Sequence, residues 1–417
     1  MKKNFLLVIV TFTVLIFLFE LIGNNLPLKP RKWSRYYDYN STYGWYTWFG
    51  ADHLYGKHEN QTNGYKTRGK KPSKEKKIIL LSDSTIETSH KLEEMPEKYL
   101  EDHLPDYSVI SFGSWGWGND QQLLHLKENI KSIKPEYVIL WWITNDLSDN
   151  MKKLGFVGPK PTFKIKNDKL IYPDKNMGDE YGPAKFYRFY LYRLINKSYS
   201  VLKEKFRNKD RFDFESKKLT ECKEGVKYHD YSDLLKLHVT EDDYNKSKRT
   251  FGNKPMPYDK DVVVLPEKKK WISERINLRK SAFDKNFIDE LFWNRNILTK
   301  YEEKKYKTAN LLIKEMQRIS NENNAKFIVF FPVIHYKKFY LFKDDTYKIC
   351  FRGNEIEYSN KNVDEKLKLV FEGLDNVYIT RDMAEFGNDF EDLFDGHLNN
   401  DANDFQMKKL SEIIKNN

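Results

Sequence analysis

The chain has little cysteine and no cluster of residues typical of a metal site. Its 417 residues include two cysteines, Cys222 and Cys350, and nine histidines without the ligand spacing of a zinc site. We therefore expect no metal and no cofactor. In an exported protein the two cysteines would either pair or stay free, and the sequence leaves both possibilities open.

Long apolar runs are also scarce, since the sequence contains a single one at its N-terminus. It extends over about eighteen residues from Phe5 to Ile22, which is marginal for crossing a bilayer. Gly23 and the asparagines after it are the only small or polar residues at a possible cleavage site, and no lipobox cysteine follows, so an uncleaved anchor is favoured over a cleaved signal peptide. The run therefore predicts an uncleaved signal-anchor helix over residues 1–22, in contact with membrane lipid.

The basic residues around this run allow two orientations. Four lysines and arginines between positions 29 and 35 outnumber Lys2 and Lys3, which favours a cytoplasmic C-terminus. Large domains, however, translocate largely regardless of flanking charge. We expect a single-pass protein of the cell membrane with its domain on the extracytoplasmic side; a cytoplasm-facing, lipid-modifying enzyme is the alternative.

Nucleic-acid recognition motifs are missing as well, despite a formal net charge of +11. Lysines are mixed with nearly as many acids along the chain, and 32% of all residues are charged. That mixture is typical of a solvated surface, and we expect no nucleic-acid partner. Anionic lipid headgroups or acidic polysaccharide suit the basic N-terminal region better.

No internal repeat is visible, and a β–α alternation begins at Lys77 instead. Apolar, β-branched runs predict strands, and the helical periodicity between them predicts helices. The alternation predicts an α/β fold with a doubly wound, mainly parallel sheet. The predicted strands cover 77–80, 107–111, 137–142, 326–331 and 376–380, and the predicted helices cover 95–104, 121–133, 301–321, 363–371 and 401–414.

Composition divides the chain into an anchor at 1–22, a lead-in at 23–76 and a domain at 77–417. The lead-in contains an aromatic segment, Tyr36 to Phe49, which we expect to pack onto the domain. Within the domain, Phe163 to Tyr172 alternates as a hairpin around Asn167-Asp168. Residues from about 206 to 294 are dense in charge, which predicts an insertion that is either solvated or folded as a cap over a site.

A short polar sequence, Leu81-Ser82-Asp83-Ser84, directly follows the first predicted strand. Ligands of open α/β sheets bind at the carboxyl ends of the strands, where this sequence would lie. Backbone N–H groups at the start of the next helix can also hold an anion there. Ser and Asp are ordinary helix N-caps as well, so the motif by itself does not establish a nucleophile.

Three further segments complete a pattern. Phe112 to Gln121 contains glycines after the second strand, Ile143-Thr144-Asn145-Asp146 follows the third, and Asp395-Gly396-His397 lies near the C-terminus. In this order, the four segments resemble the blocks of the SGNH (GDSL-type) hydrolase superfamily. Gly64 to Gly69 also resembles a Gly-(Phe/Tyr)-Arg stretch found upstream of the first block. The resemblance implies a flavodoxin-like core.

The chemistry of the pattern is that of serine ester cleavage. Ser84 would be the nucleophile, His397 its base, and Asp395 the acid that orients the imidazole. The oxyanion would be held by the backbone N–H groups of Ser84 and Gly116 and by the Asn145 side-chain amide. Asp392 is the alternative acid.

Three positions depart from the family pattern. Ser82 and Ile143 stand where the family usually has glycine, and Phe394 stands where many members place the triad acid. Ser82 fits a tight turn only if its φ is negative or strain is tolerated. No reacting group is lost, but a divergent or inactive copy of the fold is one reading of these changes.

Together these features predict a membrane-anchored serine esterase or acyltransferase. Its substrate would be an O-acyl ester on a small molecule or a cell-envelope glycan, and an acetyl group is the favoured acyl group. Hydrolysis of the ester is favoured over transfer of the acyl group. Trp117 in the glycine segment is the predicted substrate-binding residue, because flat aromatic faces suit sugar rings. Trp141 and Trp142 are better read as strand core. The alternative is an inactive SGNH-fold protein that binds or assembles glycans.

Overall fold

The structure is a computed structural model. It describes residues 11, 13–20, 22, 37–40, 42–47, 61–87, 91–152, 160–173, 220–228, 293–332, 346–351, 353–380 and 398–417. The predicted residues Asp392, Asp395 and His397 lie outside this set, as do most of the proposed anchor and most of the insertion at 206–294. Among the residues in the set, no helix is long and apolar enough to cross a membrane.

The predicted strands alternate with the predicted helices as expected, and further short strands occur between them. The strands are β1 (Tyr37–Asn40), β2 (Gly44–Thr47), β3 (Lys76–Leu81), β4 (Tyr107–Phe112), β5 (Tyr137–Trp141), β6 (Lys164–Lys166), β7 (Lys169–Ile171), β8 (Thr220–Glu221), β9 (Lys326–Pro332), β10 (Tyr347–Phe351), β11 (Asn354–Tyr358) and β12 (Val377–Thr380). The α-helices are α1 (Pro96–His103), α2 (Asn119–Ile133), α3 (Asp146–Asp149), α4 (Lys300–Glu322), α5 (Asn360–Phe371) and α6 (Asn400–Lys415).

Five of these strands form the central sheet, in the spatial order β12-β9-β5-β3-β4. All four neighbouring pairs are parallel, so the predicted α/β class with a mainly parallel sheet is confirmed. The sheet begins at β3, adds β4 on one side and then continues on the other side with β5. The direction in which strands are added to the sheet therefore reverses between β3 and β5, and that switch point is where open α/β sheets bind ligands.

Helices cover both faces of the sheet. On one face α2, α4 and α5 contribute to a cluster with Ile79, Leu140 and Phe331. On the other face α1 and α6 pack with Leu80 and Ile139. Burial from both sides explains why the strands are continuous apolar runs rather than alternating ones. The predicted apolar face of α4 is buried as expected, with Ala309, Leu312, Met316 and Ile319 all 5% exposed or less.

The hairpins differ in how well the sequence predicts them. Strands β6 and β7 pair around Asn167 and Asp168, which adopt φ values of 50° and 59°; a left-handed conformation at both positions is what a type I′ turn requires. The aromatic segment packs on the domain as expected, with Tyr43 and Trp45 buried, but its folding as the β1–β2 hairpin was not predicted. Nor was the β10–β11 hairpin, whose turn contains Gly353 at φ +78°.

The two cysteines are paired. Cys222, next to β8, forms a disulfide with Cys350 in β10, and β8 also pairs with β11 in the same small antiparallel sheet. The disulfide therefore links two segments of a small sheet that strand pairing already brings together. The sequence left open whether the cysteines are bonded or free, and in the structure they are bonded.

Candidate active site

Ser82 directly follows β3 and connects it to the two neighbouring strands, β4 and β5. Its backbone N–H donates to the Phe112 carbonyl at 3.1 Å, and its hydroxyl donates to the Trp141 carbonyl at 3.0 Å. Ser82 is not among the described residues with positive φ. Ser82 is thus unstrained, and its hydroxyl makes a bond that a glycine at this position could not make.

Ser84 begins a 3-10 turn, Ser84–Ile86, at the carboxyl end of β3. The N-cap of this turn is Asp83, whose Oδ1 accepts from the Thr85 N–H and the Thr85 hydroxyl, both at 2.9 Å. Ser84 is half-buried while the residues on both sides of it are buried. Because Asp83 supplies the cap, the ordinary structural reason for a serine at this position does not apply to Ser84.

The glycine segment lies between β4 and α2 and is held from two sides. A Cβ on Gly113 would lie 2.6 Å from the Ser82 carbonyl oxygen. A Cβ on Gly118 would lie 2.7 Å from Asn150 Oδ1, on the far side. Both glycines allow backbone contacts that any side chain would block. The segment is therefore clamped between the Ser84 turn and the end of α3, and it is not a loose loop.

Gly116 lies in the middle of this segment with φ +73°, a left-handed conformation that favours glycine. The N–H groups on either side are both engaged: Trp115 N–H donates to Glu87 Oε2 at 3.2 Å, and Trp117 N–H donates to the Ser114 carbonyl at 3.0 Å. Within the described part of the chain, the Gly116 N–H donates no hydrogen bond. It is a donor that an incoming anion could use.

Asn145 lies just before α3, and its amide has two partners. The Nδ2 atom donates to Asp83 Oδ2 at 2.6 Å and to Asp149 Oδ2 at 3.2 Å. The third block is thus bonded directly to the first, at the switch point between β3 and β5. The same bonds engage both N–H groups of the amide, so a role as oxyanion donor requires one of them to be shared or released.

Asp146 is fully buried beneath Asn145. Burial raises the pKa of its carboxyl well above the usual range, and the nearby carboxylates of Asp83 and Asp149 raise it further. Asn119, at the start of α2, donates to Asp146 Oδ2 at 2.9 Å. Burial and the two carboxylates therefore favour an uncharged Asp146, while the Asn119 bond opposes this rise in pKa and ties α2 to the site.

Trp117 does not lie where the sequence analysis placed it. Its side chain is 0% exposed, its Nε1 donates to the Trp45 carbonyl at 2.8 Å, and its ring packs edge-on against Tyr43. The predicted substrate-binding residue is a core residue, because the β1–β2 hairpin covers it. Trp115 is half-buried, whereas Trp141 and Trp142 are fully buried, as expected for strand core.

Two charged residues that sequence reasoning did not assign to the site also support it. Arg68, in the Gly64–Gly69 stretch, is 1% exposed and donates to the Glu87 carbonyl at 3.2 Å. The side chain of Glu87 in turn accepts from the Trp115 N–H. The sequence contains features that could have placed both residues at the site: Arg68 belongs to the Gly64–Gly69 stretch, and Glu87 lies three residues after Ser84.

The late block can be followed only from Leu398 onward, because Asp395 and His397 lie outside the described residues. Leu398 is 4% exposed and belongs to the same apolar cluster as Ile86 of the Ser84 turn. Asn399 caps α6, with its Oδ1 accepting from the Ala402 N–H at 2.9 Å. The chain that directly follows His397 thus packs on the side of the sheet that also holds the Ser84 turn.

Within the described ranges, no group of His, Cys, Asp or Glu side chains is arranged to hold a metal ion.

A scan against protein-family models, a search of curated proteins and a search of solved structures each found no match to this chain. Any assignment of function therefore depends on the residues and geometry described above.

Proposed function

We propose that the chain is a serine esterase or acyltransferase with an SGNH-type, flavodoxin-like core. The observation that carries the proposal is the convergence of three motif segments at one edge of the sheet. Asn145 bonds to Asp83, and Gly113 is in contact with the backbone of Ser82. Segments that follow three different strands therefore meet around Ser84, at the position where doubly wound sheets bind ligands.

The proposed reaction proceeds through an acyl-enzyme. The Ser84 hydroxyl attacks the ester carbonyl while His397 accepts its proton, and Asp395 orients the imidazole. His397 then donates the proton to the departing alcohol as the C–O bond breaks. Water, or a sugar hydroxyl in a transfer reaction, attacks the acyl-enzyme and releases Ser84. No cofactor is required.

The developing negative charge on the carbonyl oxygen would be held by backbone donors. The Gly116 N–H supports this role because both neighbouring N–H groups are engaged elsewhere and its own is not, within the described residues. The Ser84 N–H lies at the start of the same turn as the nucleophile. Asn145 would add a third donor if its bond to Asp149 were released when substrate binds.

The disulfide supports a location outside the cytoplasm. Structural disulfides persist in oxidising compartments, and Cys222–Cys350 is one among the described residues. We propose that the N-terminal apolar run anchors the protein in the cell membrane with the domain on the extracytoplasmic side. The substrate would then be a membrane-proximal ester, such as an O-acetyl group on a cell-envelope glycan.

The second candidate is a non-catalytic member of the same fold that binds or assembles glycans. One observation favours it: both N–H groups of the Asn145 amide are directed to carboxylates rather than toward a bound oxyanion. In that case the Asp83–Asn145 bond would serve only to hold the segments together.

A fluorophosphonate probe separates the two candidates. We expect the wild-type chain to be labelled at Ser84 and to cleave p-nitrophenyl acetate, and Ser84→Ala to lose both properties while remaining folded. Ser132→Ala is the matched control, because Ser132 is an exposed serine on α2. Equal labelling of the wild type and Ser84→Ala would exclude Ser84 as the nucleophile. Release of acetate from an O-acetylated polysaccharide would then test the substrate class.

A further inference from the structure

The β1–β2 hairpin and the glycine segment are joined by a reciprocal pair of hydrogen bonds. Trp45 Nε1 donates to the Trp115 carbonyl at 2.9 Å, and Trp117 Nε1 donates to the Trp45 carbonyl at 2.8 Å. The two bonds attach to the residues immediately before and after Gly116. A single residue of the hairpin therefore holds the backbone carbonyl before that glycine and the indole side chain after it.

The hairpin is itself firmly fixed to the domain. Gln121, in the first turn of α2, donates from Nε2 to the Tyr43 carbonyl at 2.8 Å. The ring of Tyr43 stacks on His125 at 4.8 Å between centroids, and His125 stacks on Phe112 at the end of β4 at 4.2 Å. This stack extends from the sheet to the hairpin, so Trp45 acts from a rigid support.

We propose that Trp45 is a positioning residue for the oxyanion site, an inference that rests on the proposed function. By donating to the Trp115 carbonyl, it orients the peptide plane that also contains the Gly116 N–H, and by accepting from the Trp117 indole it fixes the side chain that follows. The Gly116 N–H is thereby directed toward the carbonyl oxygen of an ester on Ser84. Trp45 itself makes no contact with substrate in this role.

The physical argument concerns the direction of one N–H group. At φ +73° Gly116 has no Cβ to restrict it, and glycine backbones have more accessible conformations than any other residue. An unrestrained Gly116 would spend part of its time with its N–H directed elsewhere. Displacing a catalytic group by about 1 Å can lower the rate about 10²-fold, even when the change lies away from the reacting atoms.

The test compares Trp45→Phe with Trp142→Phe in the full-length protein. Trp45→Phe keeps a buried ring but removes the donor to Trp115. Trp142→Phe removes an equally buried indole whose Nε1 has no hydrogen-bond partner in the described structure. We expect Trp45→Phe to lower kcat for p-nitrophenyl acetate by about tenfold to 100-fold with little change in KM, and Trp142→Phe to leave kcat within about twofold.

A second variant distinguishes a loss of positioning from a general loss of folding. Trp117→Phe removes the opposite bond, and its effect on kcat should not add to that of Trp45→Phe in the double variant, because both act on one peptide segment. If Trp45→Phe and Trp117→Phe are no less thermally stable than Trp142→Phe and keep the wild-type kcat, the positioning role of Trp45 is overturned while the proposed function stands. A wild-type protein without Ser84-dependent hydrolysis would instead overturn the proposed function, and the inference with it.

Discussion

Asn145 Nδ2 lies 2.6 Å from Asp83 Oδ2, and this bond joins the turn after β3 to the turn after β5. The two residues are 62 positions apart in the sequence. The bond spans the switch point of the sheet and lies beside Ser84. It holds the proposed nucleophile and the proposed amide donor in a fixed relation, and the proposed mechanism requires the Asn145 amide to turn from a carboxylate to the oxyanion.

The first prediction concerns Asn145. If the amide donates to the oxyanion, Asn145→Ala should lower kcat by about 10²–10³, the loss typical of one oxyanion donor. Asn129→Ala is a matched control, since Asn129 also donates from its amide but to the His125 carbonyl within α2. Steady-state kinetics on p-nitrophenyl acetate measure both. A loss of folding stability in Asn145→Ala without any loss of kcat would limit the residue to a structural role.

The second prediction concerns the late motif. His397→Ala should be as damaging as Ser84→Ala, and the double variant should be no worse, because the two residues act in one proton transfer. Asp395→Asn should lose somewhat less. Fluorophosphonate labelling rates and kcat would measure each variant. If Asp392→Asn is the more harmful of the two acid changes, the acid of the triad is Asp392 instead.

The third prediction concerns pH and the buried Glu97. Burial raises the pKa of Glu97 to about 8 from an ordinary value of 4.5, although Ser111 and Arg68 oppose the shift. A raised acid pKa favours the protonated form in the folded state. The stabilising contribution is therefore complete below about pH 4.5 and is lost as pH rises toward about 8.

Glu97→Gln should remove this dependence. Glutamine keeps an acceptor for the Ser111 hydroxyl and cannot ionise, so the variant should gain stability relative to wild type as pH rises, on the order of a few kcal/mol at alkaline pH. Urea unfolding between pH 5 and pH 9 measures the difference. Glu93→Gln is the control, because Glu93 is an exposed partner of Lys70. Parallel pH curves for Glu97→Gln and wild type would contradict the prediction.

The fourth prediction separates the proposed anchor from the domain. A chain that begins at Pro30 should be released from membranes and still hydrolyse a small ester, because it keeps the hairpin and all four motif segments. A chain that begins at Ala51 lacks β1 and β2 and should lose activity, since Trp45 and Tyr43 would be gone. Membrane fractionation and esterase assays report on both. Misfolding of the chain from Pro30 would instead show that the N-terminal helix belongs to the folded domain.

The order and type of the central elements follow from the sequence. The five strands and five helices predicted around them differ from the observed bounds by three residues at most, as with α5, which begins at Asn360 rather than Val363. These are local properties: a buried parallel strand is a continuous apolar run, and a packed helix repeats its apolar residues every three to four positions. The hairpins at 37–47 and 347–358 are not predicted, because in each of them only one of the two strands, 37–40 or 354–358, alternates polar and apolar residues.

The features of the candidate site also fall into those that the sequence determines and those that only the tertiary structure decides. The sequence by itself determined which chemical groups are available, Ser84, Gly116 and Asn145, because their order along the chain and their places after strands are visible in it. Only the tertiary structure decided that Trp117 is buried, that Ser82 bridges three strands and that the Asn145 amide is bonded to Asp83. Each of these outcomes depends on a partner far away in the chain, such as Trp45, 72 positions from Trp117. Local patterns contain no information about such partners, since it is the packing of the sheet and the hairpin that brings them together.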